Sequence, residues 1–272
     1  MNKFYPLYKF REVNDYSINS IVENTIWFSH VDDFNDPFEL YYKVTAGINS
    51  DNFTQSLGLY LSKREEEGNS LPIPKDMLLS IISESAPEQR RIIIDSIAAE
   101  ILPLQMQKIN EVRNDNKIFS LSFVNDHPLL WGHYANGLKG MCIEYDLNKQ
   151  LEPLNIGYCP VRYDAKPYAI NILEMLNNQK NISDYSEEIF ATKNDVWKYE
   201  QEFRLVSKNS KMPGNQYQLG NDVIRSIIIG EKMLNKDILR VRKAIEGRNI
   251  NLYKAIAIPE DFRIDIIDFE GF

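Results

Sequence analysis

Cysteine and histidine are scarce in this chain: two of the first and three of the second among 272 residues. Cys142 and Cys159 are too few for a disulfide framework, and no C-x-x-C pair is present to hold zinc. His30, His127 and His133 show no H-E-x-x-H or related spacing, so a metal site built from His and Cys is not expected. Long apolar runs are missing too. No stretch approaches the roughly 18 residues of a membrane span. The opening MNKFYPLYKFR lacks the apolar segment of a secretory signal. A cytoplasmic protein without a membrane partner is expected. Positive charge is in deficit: 31 Lys and Arg against 39 Asp and Glu leave a net charge of −8. Such a balance repels a nucleic-acid backbone and argues against non-specific nucleic-acid binding, although a local basic cleft stays open. No G-x-G-x-x-G, P-loop, G-x-S-x-G or kinase signature occurs, which disfavours a Rossmann or P-loop enzyme.

Apolar residues make up 43% and charged residues 26% of the chain, enough for an ordinary globular core. Strands are expected near 5–11, 26–29, 118–123, 140–146, 160–163, 202–207, 224–229 and 262–268. Helices are expected near 16–23, where Asn14-Asp15 provides a cap, and near 127–137, 184–198 and 236–247. Asn35-Asp36-Pro37 marks a turn, because the residue before proline avoids the helical region, and Asp36 is expected to fasten that loop. Residues from about 50 to 115 differ, with the charge run Lys63–Glu67 and helical patterns near 75–83 and 88–110. In the second pattern Ile92, Ile93, Ile97 and Ile101 recur at helical spacing. Short strands without regular βαβ alternation predict a single α+β domain over 1–272 with a helical insertion at about 50–115.

Residues 117–145 hold the densest set of functional side chains, with Asn125, Asp126, Trp131, His133 and Tyr134 between two strand-like runs. Unpaired buried polar groups cost about 1–3 kcal/mol each, so such a cluster is either fully paired or faces a site. In FSLSF, Ser120 and Ser122 share one strand face opposite Phe119, Leu121 and Phe123. Arg11 closes the first strand with a guanidinium suited to phosphate. Trp131, His133 and Tyr134 fall on one helix and are candidates for a wall on which a planar ring stacks. The sharpest motif is YEQEFRLV. Glu200 and Glu202 are two apart at the start of a strand and face one side together with Arg204. Carboxylates that close raise one another's pKa unless cations intervene. Neutralising Glu202 is therefore expected to leave stability unchanged or slightly raised.

The blocks LYKFR, IWFSHVDDFNDPFE, FSLSF, LLWGHYANGLKGMCIEYD and WKYEQEFRL together resemble a bacterial family, the domain of unknown function 2971, over most of the chain apart from 50–115 and 150–190. That label carries no activity. The order of an Arg on the first strand, a Ser-x-Ser strand and a Glu-x-Glu before a later strand also resembles the Arg–Ser–Glu pattern of ADP-ribosyltransferases, with Ser-Leu-Ser where Ser-Thr-Ser is usual. This second resemblance implies a split-sheet or β-sandwich core and a reaction in which NAD, as substrate, loses nicotinamide and yields ADP-ribose. The acceptor is a protein, a nucleic acid or a small molecule, in a phage-defence or toxin–antitoxin setting. Glu202 would stabilise the transition state, Glu200 would orient or deprotonate the acceptor, and Ser120 would support Glu202. Arg11, Ser122, Trp131, His133, Tyr134, Asn35 and Asp36 would contact NAD. Two other readings stay open: a non-enzymatic regulatory or interaction module of a defence locus, and a Mg²⁺-dependent nuclease or hydrolase using Asp36, Glu39, Glu200 and Glu202.

Overall fold

In LYKFR, Leu7, Lys9 and Arg11 alternate with Tyr8 and Phe10, and a strand turns the two sets to opposite faces. The computed structural model describes residues 6–45, 50–68, 73–148, 156–171, 174, 177, 182–209 and 214–269. The chain divides into two compact units. The first is drawn from residues 1–37, 116–165 and 193–272, and the second from 38–115 and 166–192.

A nine-stranded mixed sheet organises the first unit. Its order is Arg263–Asp268, Asn251–Ile258, Ile224–Gly230, Met141–Tyr145, Leu7–Arg11, Asn116–Ser122, Glu202–Lys208 and Gly157–Pro160, with Ser29–His30 as a side branch on Asn116–Ser122. One neighbouring pair is parallel, Ile224–Gly230 with Asn251–Ile258. The helix Asn235–Ile245 makes the crossover that a parallel pair requires. Leu7 packs on one face of the sheet with Phe119, Ile143, Phe203 and Ile227. Tyr8 and Phe10 pack on the other with Leu130, Trp131, Cys142 and Ile228.

The sheet forks at its middle. Leu7–Arg11 pairs with Met141–Tyr145 along its whole length. It meets Asn116–Ser122 at one residue pair, Tyr8 with Ser122. Four residues away, the same edge of Asn116–Ser122 is taken by Ser29 opposite Ile118. Phe119, Ser120 and Leu121 lie between the two pairings and have no strand partner on that edge.

The short helix Pro128–Tyr134 covers the second face. Pro128 stands in its first turn and the His127 side chain accepts from the Leu129 N–H. Trp131 is 1% exposed, meets Phe10 edge to face at 5.3 Å, and donates its indole N–H to the Asn125 carbonyl at 2.7 Å. After the helix the chain passes through Asn136, Gly137 and Leu138 at positive φ. It then returns at Gly140, where an added Cβ would collide with the carbonyl oxygens of Arg11 and Ala135. Gly140→Ala is expected to cost about 1–3 kcal/mol, the scale of overpacking in a tight core. A chemical-denaturation midpoint equal to wild type would refute that close approach.

In the second unit the helices Ser50–Glu66, Lys75–Glu84, Pro87–Asn114 and Ile182–Phe190 accompany a parallel strand pair, Tyr42–Thr45 with Tyr168–Asn171. Phe53, Leu57, Ile82, Ile94, Ala98 and Ile101 form its core. The unit thus contains the helical insertion expected at 50–115 and draws residues from both sides of it. Its long helix buries Ile94, Ala98 and Ile101 and leaves Ile92 exposed, so the apolar stripe is rotated from the one spacing suggested.

The expected mixed α+β composition is present. The helix expected over 184–198 stops at Phe190. It is followed by the strand Thr192–Asn194 and a 3₁₀ turn over Asp195–Glu200, which the Asn194 side chain caps by accepting from the Val196 N–H. The strand Asn251–Ile258 was not foreseen. No helix among the described residues is long and apolar enough to cross a membrane.

Candidate functional site

The fork opens onto a cavity of about 420 Å³ within the first unit, in the size range of small-molecule pockets. The strand register sets its floor. Ser122 stands opposite Glu202 and Ser120 opposite Arg204, so two hydroxyls, a carboxylate and a guanidinium share one face. Gln201, at φ 42°, takes the left-handed conformation between the 3₁₀ turn and the strand. That kink brings Glu200 to the same place as Glu202. Both are buried.

Lys193 bridges the two carboxylates, with Nζ 2.6 Å from Glu200 Oε2 and 3.2 Å from Glu202 Oε2. Arg204, fully buried, donates from Nε to Glu202 Oε1 and from Nη2 to Oε2, each at 2.9 Å. Burial alone pushes the Glu202 pKa up. Arg204 and then Lys193 outweigh it, the Ser120 hydroxyl adds to the pull, and Glu202 settles at about 2. The intervening cations are what allow two adjacent carboxylates to stay together. The Ser120 Oγ lies near enough to contribute to that field, yet it is buried with no partner at hydrogen-bonding geometry.

Tyr134 donates its hydroxyl to Glu200 Oε1 at 2.5 Å and accepts from Asn35 Nδ2 at 3.3 Å. Burial first, and then the charge of Glu200, raise its pKa well above the ordinary tyrosine value, so it keeps its proton. Exposed His133 faces the Tyr199 hydroxyl through Nδ1 at 3.0 Å. Tyr163 accepts from the Glu202 N–H at 2.7 Å. On the opposite wall Lys9 donates to the Ser120 carbonyl at 2.8 Å and lies 5.1 Å from the centre of the Phe119 ring.

Of the residues singled out from sequence, Asn35, Ser120, Ser122, His133, Tyr134, Glu200 and Glu202 line this cavity. The Ser122 hydroxyl is engaged, donating to the Glu200 carbonyl at 2.7 Å and accepting from the Val124 N–H. It clamps the turn that presents Glu200. Arg11, Asp36 and Trp131 are not among the lining residues. Trp131 is a core aromatic rather than a stacking wall, because the indole is buried on Phe10. Asp36 is buried, and the Arg11 Nε is buried without a hydrogen-bond partner. Lys9 and Lys193 are lining residues that sequence reasoning missed. The first is visible as a charge inside an apolar strand, whereas the second sits in the polar run TKND, which carries no pattern.

Residues 130–205 match the family of proteins of unknown function DUF2971. The matched stretch carries His133, Tyr134, Lys193, Glu200, Glu202 and Arg204, and LYKFR and FSLSF lie outside it. No curated protein and no solved structure matches the chain. Among the described residues, no group of three or more His, Cys, Asp or Glu side chains is placed to hold a metal ion, and the two glutamates of the cavity are already bound to Lys193 and Arg204.

Proposed function

We propose that the cavity cleaves the nicotinamide–ribose bond of NAD and transfers ADP-ribose to an acceptor. One observation carries the reading: Glu202 lines the cavity floor with a carboxylate that Lys193 and Arg204 hold in its ionised form. When the C1′–N bond breaks, its electron pair leaves with nicotinamide and positive charge grows on the ribose. A fixed, preorganised negative charge beside that carbon stabilises the transition state more than the ground state. A pKa of about 2 keeps Glu202 charged at any working pH. An ionised carboxylate offers about four lone-pair positions. Lys193 and Arg204 take three in the contacts described above, and the Ser120 hydroxyl stands beside the fourth, where a ribose hydroxyl would compete with it.

The surroundings fit the same chemistry. The unpartnered Ser120 hydroxyl adjoins Glu202, and His133 and Tyr134 supply ring edges for the nicotinamide end. Glu200, held by Tyr134 and Lys193, is the carboxylate left to orient an acceptor. The forked sheet needs no glycine-rich loop. Arg11 stands outside the cavity and takes no part in this reading.

The deciding experiment incubates the purified protein with NAD labelled in its ADP-ribose half, alone and with cell lysate. Nicotinamide release above that of heat-denatured protein, with label on an acceptor when lysate is added, is the expected result. Absence of nicotinamide release in both arms would replace this reading with a non-enzymatic binding module.

A further inference from the structure

Lys9 lines the cavity and has no part in the proposed reaction, and its surroundings are unusual for a lysine. Its Nζ enters the fork beside Ser120, at the middle of the gap between the pairings of Ile118 and Ser122. There it makes one hydrogen bond, to the Ser120 carbonyl, and rests against the Phe119 ring. It forms no ion pair among the described residues. Glu200 and Glu202 face it from across the cavity, but the oxygens of Glu200 are held by Tyr134 and Lys193 and those of Glu202 by Lys193 and Arg204. Arg11 on its own strand and Lys193 on the far wall add positive charge nearby.

We propose that Lys9 is a nucleophilic amine that condenses with the carbonyl carbon of a small aldehyde or ketone held in the cavity, forming an imine. Lysines become nucleophiles when an apolar site or a neighbouring cation disfavours the ammonium form, and Lys9 has both. Burial first, and then Arg11, lower its pKa, with Lys193 adding to them against the opposing pull of Glu202 and Glu200. The result is about 7. Roughly half of the molecules then carry a free amine at pH 7, against on the order of 1 in 2,500 for an exposed lysine of ordinary pKa.

The step balances without an oxidant or reductant. The nitrogen lone pair attacks the carbonyl carbon, and the C=O π pair moves to oxygen, which takes a proton. The nitrogen loses a proton, the new hydroxyl takes a second proton, and the C–O bond breaks to release water as C=N forms, after which the remaining N–H proton leaves to give the neutral imine. Tyr134, which keeps its proton, and its partner Glu200 line the same cavity and can relay those protons. The hydroxyl of Ser120 and the polar groups of Asn35 and His133 suit a carbonyl compound that carries hydroxyls, such as an open-chain sugar. The inference goes beyond NAD cleavage and does not depend on it.

The test exposes the full-length protein briefly to glyceraldehyde and sodium cyanoborohydride between pH 6 and 10, and reads each lysine by peptide mass spectrometry. Lys9 should be labelled at least tenfold faster than exposed Lys236 at pH 7. Its rate relative to Lys236 should fall once the pH passes well above 7. Lys9→Met, shown by circular dichroism to be folded, should lose this fast-labelled site and no other. Labelling of Lys9 no faster than that of Lys236 at pH 7, or a ratio flat across the pH range, would overturn the proposal. The wild-type profile decides the matter even where the variant fails to fold.

Discussion

Glu202→Gln is expected to lower NAD turnover by about 10²–10³-fold at saturating NAD, the scale of deleting one preorganised electrostatic group. NAD affinity should change little, because the charge acts mainly on the cation that develops as nicotinamide leaves. The substitution keeps the size of the side chain and part of its hydrogen bonding, so the loss reports on charge. Its effect on stability reverses the one foreseen from sequence, where relief of Glu200–Glu202 repulsion pointed to a neutral or slightly stabilising change. In the folded protein the carboxylate is the counter-charge of Arg204 and, with Glu200, of Lys193. Removing it takes from a fully buried guanidinium the carboxylate that both its Nε and its Nη2 engage, and a lower melting temperature should accompany the lost turnover. Rates are therefore to be compared per folded molecule. A folded Glu202→Gln within a few-fold of wild-type turnover would take Glu202 out of the mechanism.

Arg204→Met should destabilise the fold by about 3–5 kcal/mol, the cost of breaking one side of a buried ion pair. Methionine roughly fills the space but leaves Glu202 with Lys193 alone. The pH dependence gives a second signature. The folded-state pKa of Glu202 is depressed, from the model-compound value of 4.5 to about 2. The stability it confers is therefore fully present above the unfolded value and is lost as the pH falls through about 2. Without Arg204 that depression shrinks, and Glu202 protonates at a higher pH. The gap between variant and wild type in urea melts should be widest near pH 7 and narrow as the pH approaches 2. A gap of less than about 1 kcal/mol at pH 7 would mean that the pair does not hold this region together.

Much of this site could be read from local pattern. Alternation in FSLSF and EFRLV put two serines, Glu202 and Arg204 on predictable faces, and strand pairing did the rest by setting Ser122 opposite Glu202. Other parts depend on tertiary structure. Lys193 has no periodic neighbour to announce it, and it reaches the carboxylates because the chain leaves its helix at Phe190 and a side-chain cap at Asn194 starts a new turn. Choosing Arg11 over Lys9 was a question of reach: both project from the same face of one strand, and only the fork decides which one meets the cavity. The isoleucines of IIIDSIAAEI wrap around their helix, so spacing alone could not select the buried stripe of Ile94, Ala98 and Ile101. The kinked Gln201 was equally hidden, since residues two apart in a regular strand already share a face without it.

The fork also has a bearing on what the protein admits. An exposed strand edge is normally a template on which another chain can add, through a row of alternating donors and acceptors. Here the interruption spans Phe119 to Leu121, between the pairings at Ile118 and Ser122, and the Ser120 carbonyl already carries the Lys9 side chain. A peptide finds no ladder to extend, while a compact molecule needs none. The same gap that makes room for chemistry is thus too short to seed association, and the protein can hold its sheet open at the centre without creating a sticky edge there.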